Sequence, residues 1–289
     1  MTPEDFDYLR RLLKERSGLT LSAEKDYLLE SRLTPVARRH GLAGLSELVA
    51  QLRHAGNPAL AIAVTEAMTT NETFFFRDRI PFDHLRDTIL PALVAARTRE
   101  KRIRIWCSAA AAGQEPYSIA MLLQTMAPQL AGFRIDILAT DLSSEVIERA
   151  KAGIYSQFEV QRGLPIQLLV KHFSKNGDGW EIAPKLRAMV RFRTLNLLHD
   201  FSPLGQFDVV FCRNVLIYFD QPTKSAVLQR IARQIPDESY LILGAAETVV
   251  GLTDAFKPVP DRRGLYAPNL AARHGGQSAL SLRLASRLR

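Results

Sequence analysis

The stretch that most limits the fold is residues 101–123, KRIRIWCSAAAAGQEPYSIAMLL. Ile103, Ile105 and Trp106 form a short run of β-branched and aromatic residues, the character of a buried strand. The eight residues 107–114 that follow are nearly all tiny. Glu115-Pro116 then opens a periodic apolar segment (Ile119, Leu122, Leu123), with the proline suited to a first helical position. Strand, small-residue turn and helix N-terminus make the first unit of a doubly wound α/β sheet, in which a nucleotide-like ligand can lie against bare backbone. The turn lacks G-x-G-x-x-G, so the dinucleotide fingerprint is absent. What remains is a nucleoside pocket with the acid Glu115 at its rim, or else a tight turn with no ligand.

The rest of the chain after residue 100 follows the same logic. A strand over 133–139 leads to Asp141, an acid positioned to accept hydrogen bonds from ribose hydroxyls unless it is an ordinary surface-loop acid. Further strands read at 189–194, leading to Asn196-Leu197, at 207–212 (FDVVFC), followed by Arg213-Asn214, and at 240–244, with a short last one at Leu265-Tyr266. An amphipathic helix occupies 222–235. Asn176-Gly177-Asp178-Gly179, between His172-Phe173 and Trp180-Glu181-Ile182, is a hairpin signal. Glu115, Asp141, Asn196 and Asn214 all fall just past a strand's C-terminal end, the rim where open α/β sheets bind ligands.

Ahead of the sheet, residues 1 to about 68 read as four short helices. Thr2-Pro3-Glu4-Asp5 caps the first and Gly18 closes it; Ser22 caps a second that ends at His40-Gly41. The third spans 45–54 and the fourth 58–68, the latter capped by Asn57-Pro58. Arg32, Arg38, Arg39 and Arg53 allow a basic face, with a solvated helix surface as the alternative. Residues 69–78, TTNETFFFRD, fuse a polar turn to an aromatic block and an arginine, which is unusual for a linker. A helical connection over 80–99, interrupted by Pro91, enters the first strand.

The formal charge of +8 calls for an acidic partner, whether nucleic acid, anionic lipid or an acidic protein surface. Part of the excess sits in the tail, 273–289, which can be a solvated end. No run approaches about 18 apolar residues, and MTPEDFDYLRRLLKERSG is charged and amphipathic, so neither a membrane span nor a signal peptide is expected. Cys107 and Cys212, both beside strand ends, suit reduced thiols of a cytoplasmic protein, and the six histidines show no metal-ligand spacing.

TTNETFFFR, GQEPYSIAM, ATDLS, NLL and FDVVFCRNVLIYFD, in this order, match signatures of the CheR-type chemotaxis methyltransferases, and the chain resembles that family from about residue 4 to 268. The resemblance implies an enzyme that esterifies receptor glutamates with S-adenosylmethionine, giving glutamyl methyl esters and S-adenosylhomocysteine for chemotactic adaptation. It implies an all-α N-terminal domain at 1–74 for receptor recognition, a helical linker at 75–100 and a class I (Rossmann-like) methyltransferase domain at 101–270. A small β-subdomain would be inserted at about 155–190, and 271–289 would be a disordered basic tail. Residue by residue it implies Asn71, Thr73, Arg77, Glu115, Asp141, Asn196, Leu197, Arg213 and Asn214 around the cofactor, with Arg77 and Tyr218 nearest the transferred methyl and no metal. The departure is residues 109–112, all alanine where relatives often carry Cys, Ser, Thr or Gly, which costs hydroxyl contacts but keeps the close backbone approach.

A glutamate nucleophile, with a reference pKa near about 4.3, is already ionised at neutral pH, so no general base is required. Arg77 would fork the cofactor's methionyl carboxylate, since gripping the acceptor would stabilise the ground state. Tyr218 would orient the acceptor or line the methyl path, or else be a strand-end tyrosine half in the core. A nucleic-acid methyltransferase would also explain the charge, but CRNVLIYF follows Phe211 in place of an N-P-P-Y-type turn. A non-catalytic S-adenosylmethionine-binding signalling module would keep Glu115 and Asp141 without needing Arg77 or Tyr218. The compact hairpin FSKNGDGW (173–180) leads us to expect no C-terminal receptor tether, and recognition through Arg32, Arg38, Arg39 and Arg53 on the acidic receptor bundle. A monomer without nucleic-acid or membrane partners is expected.

Overall fold

The computed structural model describes residues 1–54 and 56–273, and helices come first in it. Helix α1 (Pro3–Ser17) starts in a full capping box: Thr2 accepts from the Asp5 amide and the Asp5 side chain accepts from Thr2 in return. It stops at Gly18, which takes the left-handed conformation (φ 77°) that favours glycine. Helices α2 (Asp26–Arg39), α3 (Leu45–His54) and α4 (Pro58–Ala67) complete this unit, with Asn57 capping α4 through the Leu60 amide. Ser22 caps differently from expectation: it precedes a 3-10 turn (Ala23–Lys25) without a side-chain bond, and α2 begins only after it. Leu9, Leu13, Leu29, Leu33, Leu48 and Val64 close a core separate from that of the sheet.

The connection holds a second difference. Helix α5 (Ile80–His84) passes through a π turn (Leu85–Ile89) into α6 (Leu90–Ala96), so Pro91 does not break the run. The Leu90 amide bonds back to the Leu85 carbonyl, and this wider turn lets the helix continue past a residue with no N–H.

The sheet follows. Strand β1 (Arg102–Cys107) leads to α7 (Gln114–Thr125), β2 (Arg134–Asp141) to α8 (Ser144–Ala152). Then come β3 (Ile154–Ser156), α9 (Gln157–Gln161), α10 (Ile166–His172), the hairpin β4 (Phe173–Asn176) and β5 (Gly179–Ile182), and α11 (Pro184–Arg187). Strand β6 (Val190–Thr194), β7 (Val209–Cys212), α12 (Gln221–Arg233), β8 (Tyr240–Leu243), β9 (Phe256–Pro258) and β10 (Leu265–Pro268) finish the described chain. Seven strands pair in the order β6-β2-β1-β7-β8-β10-β9, and β3-β5-β4 form a separate small antiparallel sheet. Strand β9, which pairs with β10, carries no alternation of its own and is not legible in the sequence. From residue 274 onward the basic tail lies outside the described residues.

Strand alternation explains why both faces of the large sheet are covered. Ile103, Ile105 and Cys107 face one core and Trp106 the other, which it shares with Leu138, Val210 and Cys212. Cys107 and Cys212 are thus unpaired thiols on opposite faces, and burial pushes both above the ordinary thiol range. Among the described residues, no helix is long and apolar enough to cross a membrane, and no cluster of three metal-binding side chains occurs.

Candidate active site

The C-terminal rim of β1, β2, β6 and β7 faces the helical unit across a cleft of about 950 Å³, open mouth included. All ten residues singled out above (Asn71, Thr73, Arg77, Glu115, Asp141, Asn196, Leu197, Arg213, Asn214 and Tyr218) line this one cleft. The opposite wall comes from Ser17, Leu19 and the end of α4 (Met68, Thr69, Thr70), which sequence reasoning did not identify. Nothing local marks Ser17, Leu19 or Met68, because they become a wall only through docking, whereas Thr69 and Thr70 belong to the polar turn noted in the sequence.

That docking is specific. The Asn196 side-chain amide donates to the Arg16 carbonyl at the end of α1 (2.6 Å), while its oxygen accepts from Leu198. Thr20 donates its amide to the Tyr218 carbonyl (2.9 Å), and Gly18 lies so close to Phe219 that an added Cβ would sit 3.0 Å from the ring. Lys14 meets Asp220 at 2.7 Å, and this hydrogen bond holds the Asp220 carboxyl down at about 2. On the far side, the Ser144 amide donates to Glu66 of α4. The Asn196 side chain is therefore committed to joining the two units at the edge of the cleft.

On the sheet side, the turn after β1 is held from beneath by Asp141. Its carboxylate accepts from the Ala111 amide (2.9 Å) and the Ser143 amide (3.1 Å), and burial raises its pKa despite these bonds. Ala111 sits at φ 46°, in the left-handed region that alanine rarely adopts, so the turn is fixed rather than free. The Ser108 hydroxyl lines the same wall, buried and without a hydrogen-bond partner among the described residues.

Glu115 is not at an open rim: it is buried and pairs with Arg213 Nη1 at 2.7 Å, and burial raises its pKa against that pull. Arg213, itself buried, also donates through Nη2 to Asp78 (2.7 Å) and to the Arg77 carbonyl (2.9 Å). Arg213 is thus a hub that fixes its neighbours, and only its Nε lacks a partner.

The aromatic block splits three ways, which is why it fitted neither periodicity. Phe74 lies between the guanidinium groups of Arg77 and Arg162, Phe75 is buried edge-on against Tyr155 and Phe173, and Phe76 packs on Phe82. Phe76, Asp78 and Arg79 all have positive φ (52°, 69° and 51°), a run of left-handed non-glycine residues beside the cleft. Asn71 donates to Thr69, and Arg77 to the Glu72 carbonyl, so this loop carries its polar groups toward the cleft in fixed positions. Tyr218 is half-buried, packed against the second core and lining the cleft.

Two of the four arginines of the supposed basic face are already engaged. Arg32 donates to the carbonyls of Met68 and Thr69 and to the Thr70 hydroxyl, and Arg53 binds the Glu4 carbonyl and Asp5 while lying over Tyr8. Arg38 and Arg39 are exposed.

Residues 4–69 match the family described as CheR methyltransferase, all-alpha domain, and residues 71–265 the one described as CheR methyltransferase, SAM binding domain. Similar proteins include chemotaxis protein methyltransferase 1 of Pseudomonas aeruginosa, 41% identical over 267 residues, 90% of this chain and 96% of that one. The chemotaxis protein methyltransferase of Vibrio parahaemolyticus is 38% identical over 268 residues, covering 92% and 96%. Chemotaxis protein methyltransferase 1 of Vibrio cholerae is 39% identical over 258 residues, covering 88% and 93%.

Proposed function

Since this chain belongs to the CheR methyltransferase family, we propose that it esterifies glutamate side chains of chemoreceptors in the cleft between its two units. It is an S-adenosylmethionine-dependent methyltransferase. The observation that carries the assignment of residues is the convergence of ten rim and loop positions on one cleft. The residues present fit an adenosyl group: a buried carboxylate at the end of β2, a turn of four alanines that leaves backbone bare, and the unpartnered Ser108 hydroxyl.

When bound, the cofactor supplies an electrophilic methyl for in-line displacement by a carboxylate oxygen. Asp141 accepts from the ribose hydroxyls with the lone pairs left after Ala111 and Ser143. Arg77, held by the Glu72 carbonyl, turns its remaining donors to the methionyl carboxylate. Glu115 and Arg213 fix the floor, and Asn71, Thr73, Asn196, Leu197 and Asn214 shape the cleft around the bound group. The acceptor glutamate arrives ionised, so these side chains position it and exclude water without moving a proton. Tyr218 orients the acceptor.

In this reading residues 1–74 meet the receptor's cytoplasmic helical bundle, with the exposed Arg38, Arg39 and Arg53 and the part-buried Arg32 carrying the electrostatic part. The protein works as a cytoplasmic monomer with no nucleic-acid partner and without a C-terminal tether. Strand β4 supports the last point: Lys175 in its middle lies over Trp180, Asn176 bonds Glu181, and the turn is only Gly177-Asp178. A short edge with a central lysine and engaged side chains is a poor template for an added strand.

The test is to incubate the protein with methyl-labelled cofactor and receptor cytoplasmic fragments and to assay base-labile methyl esters. Esters should form with and without the receptor's last residues, and less at high salt, since charges are screened beyond about 8 Å at physiological ionic strength. Absence of esters on every fragment overturns the function, and a large loss on removing the tail overturns the tetherless reading.

A further inference from the structure

A buried acid that the sequence reading passed over lies behind the segment that carries Asn214 and Tyr218 to the cleft. Glu247 follows β8, and its carboxylate accepts four backbone amides from two strand ends. Oε2 takes those of Asn214 (2.8 Å) and Gly244 (2.7 Å); Oε1 takes those of Val215 (3.0 Å) and Ile217 (3.3 Å). Two carboxylate oxygens offer about four lone-pair sites, so this acid is used to capacity. Three of its four donors belong to the arch 214–218 after β7, which presents Asn214 and Tyr218 to the cleft. Asn214 adopts φ 57°, a left-handed conformation that asparagine tolerates better than most residues, and it turns the successive amides of 214 and 215 toward one anion. The other bonds that hold the arch are made further along it, from Tyr218 to Val215 and from Thr20 to the Tyr218 carbonyl, so the amides of 214, 215 and 217 depend on Glu247.

We propose that Glu247 is a positioning residue of the cofactor site, acting by fixing the arch so that Asn214 and Tyr218 face the bound cofactor. This rests on the cleft being the S-adenosylmethionine site. Because all four partners are donors, the acid cannot be replaced by its isostere: in either orientation the amide group of a glutamine sets an NH2 against two N–H groups.

The experiment is a double-mutant cycle on cofactor affinity. S-adenosylhomocysteine binding is measured by calorimetry, with thermal melting of each protein, for wild type, E247Q, N214A and the pair. E247Q should weaken binding roughly tenfold or more in the wild-type background, but less than about threefold in the N214A background, where of the two only Tyr218 is left to position. The same factor in both backgrounds, or an unchanged Kd, overturns the proposal. If E247Q yields no folded protein, G244A carries the test with the charge kept, since its Cβ would meet Glu247 Oε2 at 2.7 Å and the Asn214 amide at 3.0 Å. It should show the same non-additivity with N214A, and additivity again overturns the role. Wild-type protein that binds no cofactor overturns the cleft assignment together with this inference. Binding with additive effects overturns the inference alone.

Discussion

The turn after β1 (107–113) and the arch after β7 (213–218) lie side by side on one rim, because β1 and β7 pair in parallel, yet they are made of opposite materials. The first is built of residues so small that its backbone is left bare. The second carries Arg213, Asn214 and Tyr218, and lines the cleft with larger side chains. Both are held by a buried carboxylate from a different strand end, Asp141 for the turn and Glu247 for the arch. Backbone amides that face inward need an acceptor, and an acid anchored elsewhere satisfies them without filling the cleft. The difference separates two tasks. The small turn leaves open space beside bare backbone, and the arch lines its part of the cleft with polar side chains.

The comparison breaks most visibly at Arg213. Removing it leaves Glu115 buried without a partner, so Arg213→Ala should cost about 3–5 kcal/mol of stability, read by urea unfolding. Replacing both members, as in E115Q with R213M, should recover much of that loss. A cost below about 1 kcal/mol for Arg213→Ala would show that the ion pair does not hold the floor.

Asp141 sharpens the comparison from the other turn. Asp141→Asn should weaken S-adenosylmethionine binding by about 2–3 kcal/mol, as expected for charged hydrogen bonds. The pH dependence has a definite sign. Burial raises the Asp141 pKa, and the protonated form loses its charge and turns one acceptor oxygen into a donor, so affinity should decline as pH falls through a value above the ordinary aspartate range. The variant should lack this decline, and calorimetry from neutral to mildly acidic pH checks both. An equal decline in the variant would assign the pH effect to another group.

Arg77→Ala should have the smallest effect on stability, under about 1 kcal/mol, since its contacts are one carbonyl and the face of Phe74. Its effect on methyl transfer should be large. A sharp fall in melting temperature with normal methylation per folded molecule would make Arg77 structural.

Local chemistry made much of this fold legible. Thr2 with Asp5, Gly18 and Asn57 announce helix ends because a cap is a contact between near neighbours. The hairpin around Gly177 is legible for the same reason. The rim residues could be grouped because each follows a strand, and a parallel sheet gathers its strand ends whatever the intervening lengths. Partner choice over long separations was not legible. The sequence does not say that Asn196 reaches Arg16, that Arg32 caps the end of α4, or that Glu247 serves the arch. Strand β9 and the π turn before Pro91 were missed because each exists by virtue of a neighbour: pairing with β10 in one case, continuity of a packed helix in the other.

The wall of the cleft formed by Ser17, Leu19 and Met68 to Thr70 has a thermodynamic consequence. A ligand that touches both units binds the docked arrangement and no other, so its binding free energy is also a docking free energy. By mass action the helical unit is held against the sheet by RT ln(1 + [L]/Kd), which at a hundredfold excess over Kd is about 2.7 kcal/mol. Hydrogen exchange in α1 and at the end of α4 should therefore slow as cofactor is added, although neither element belongs to the nucleotide-binding fold.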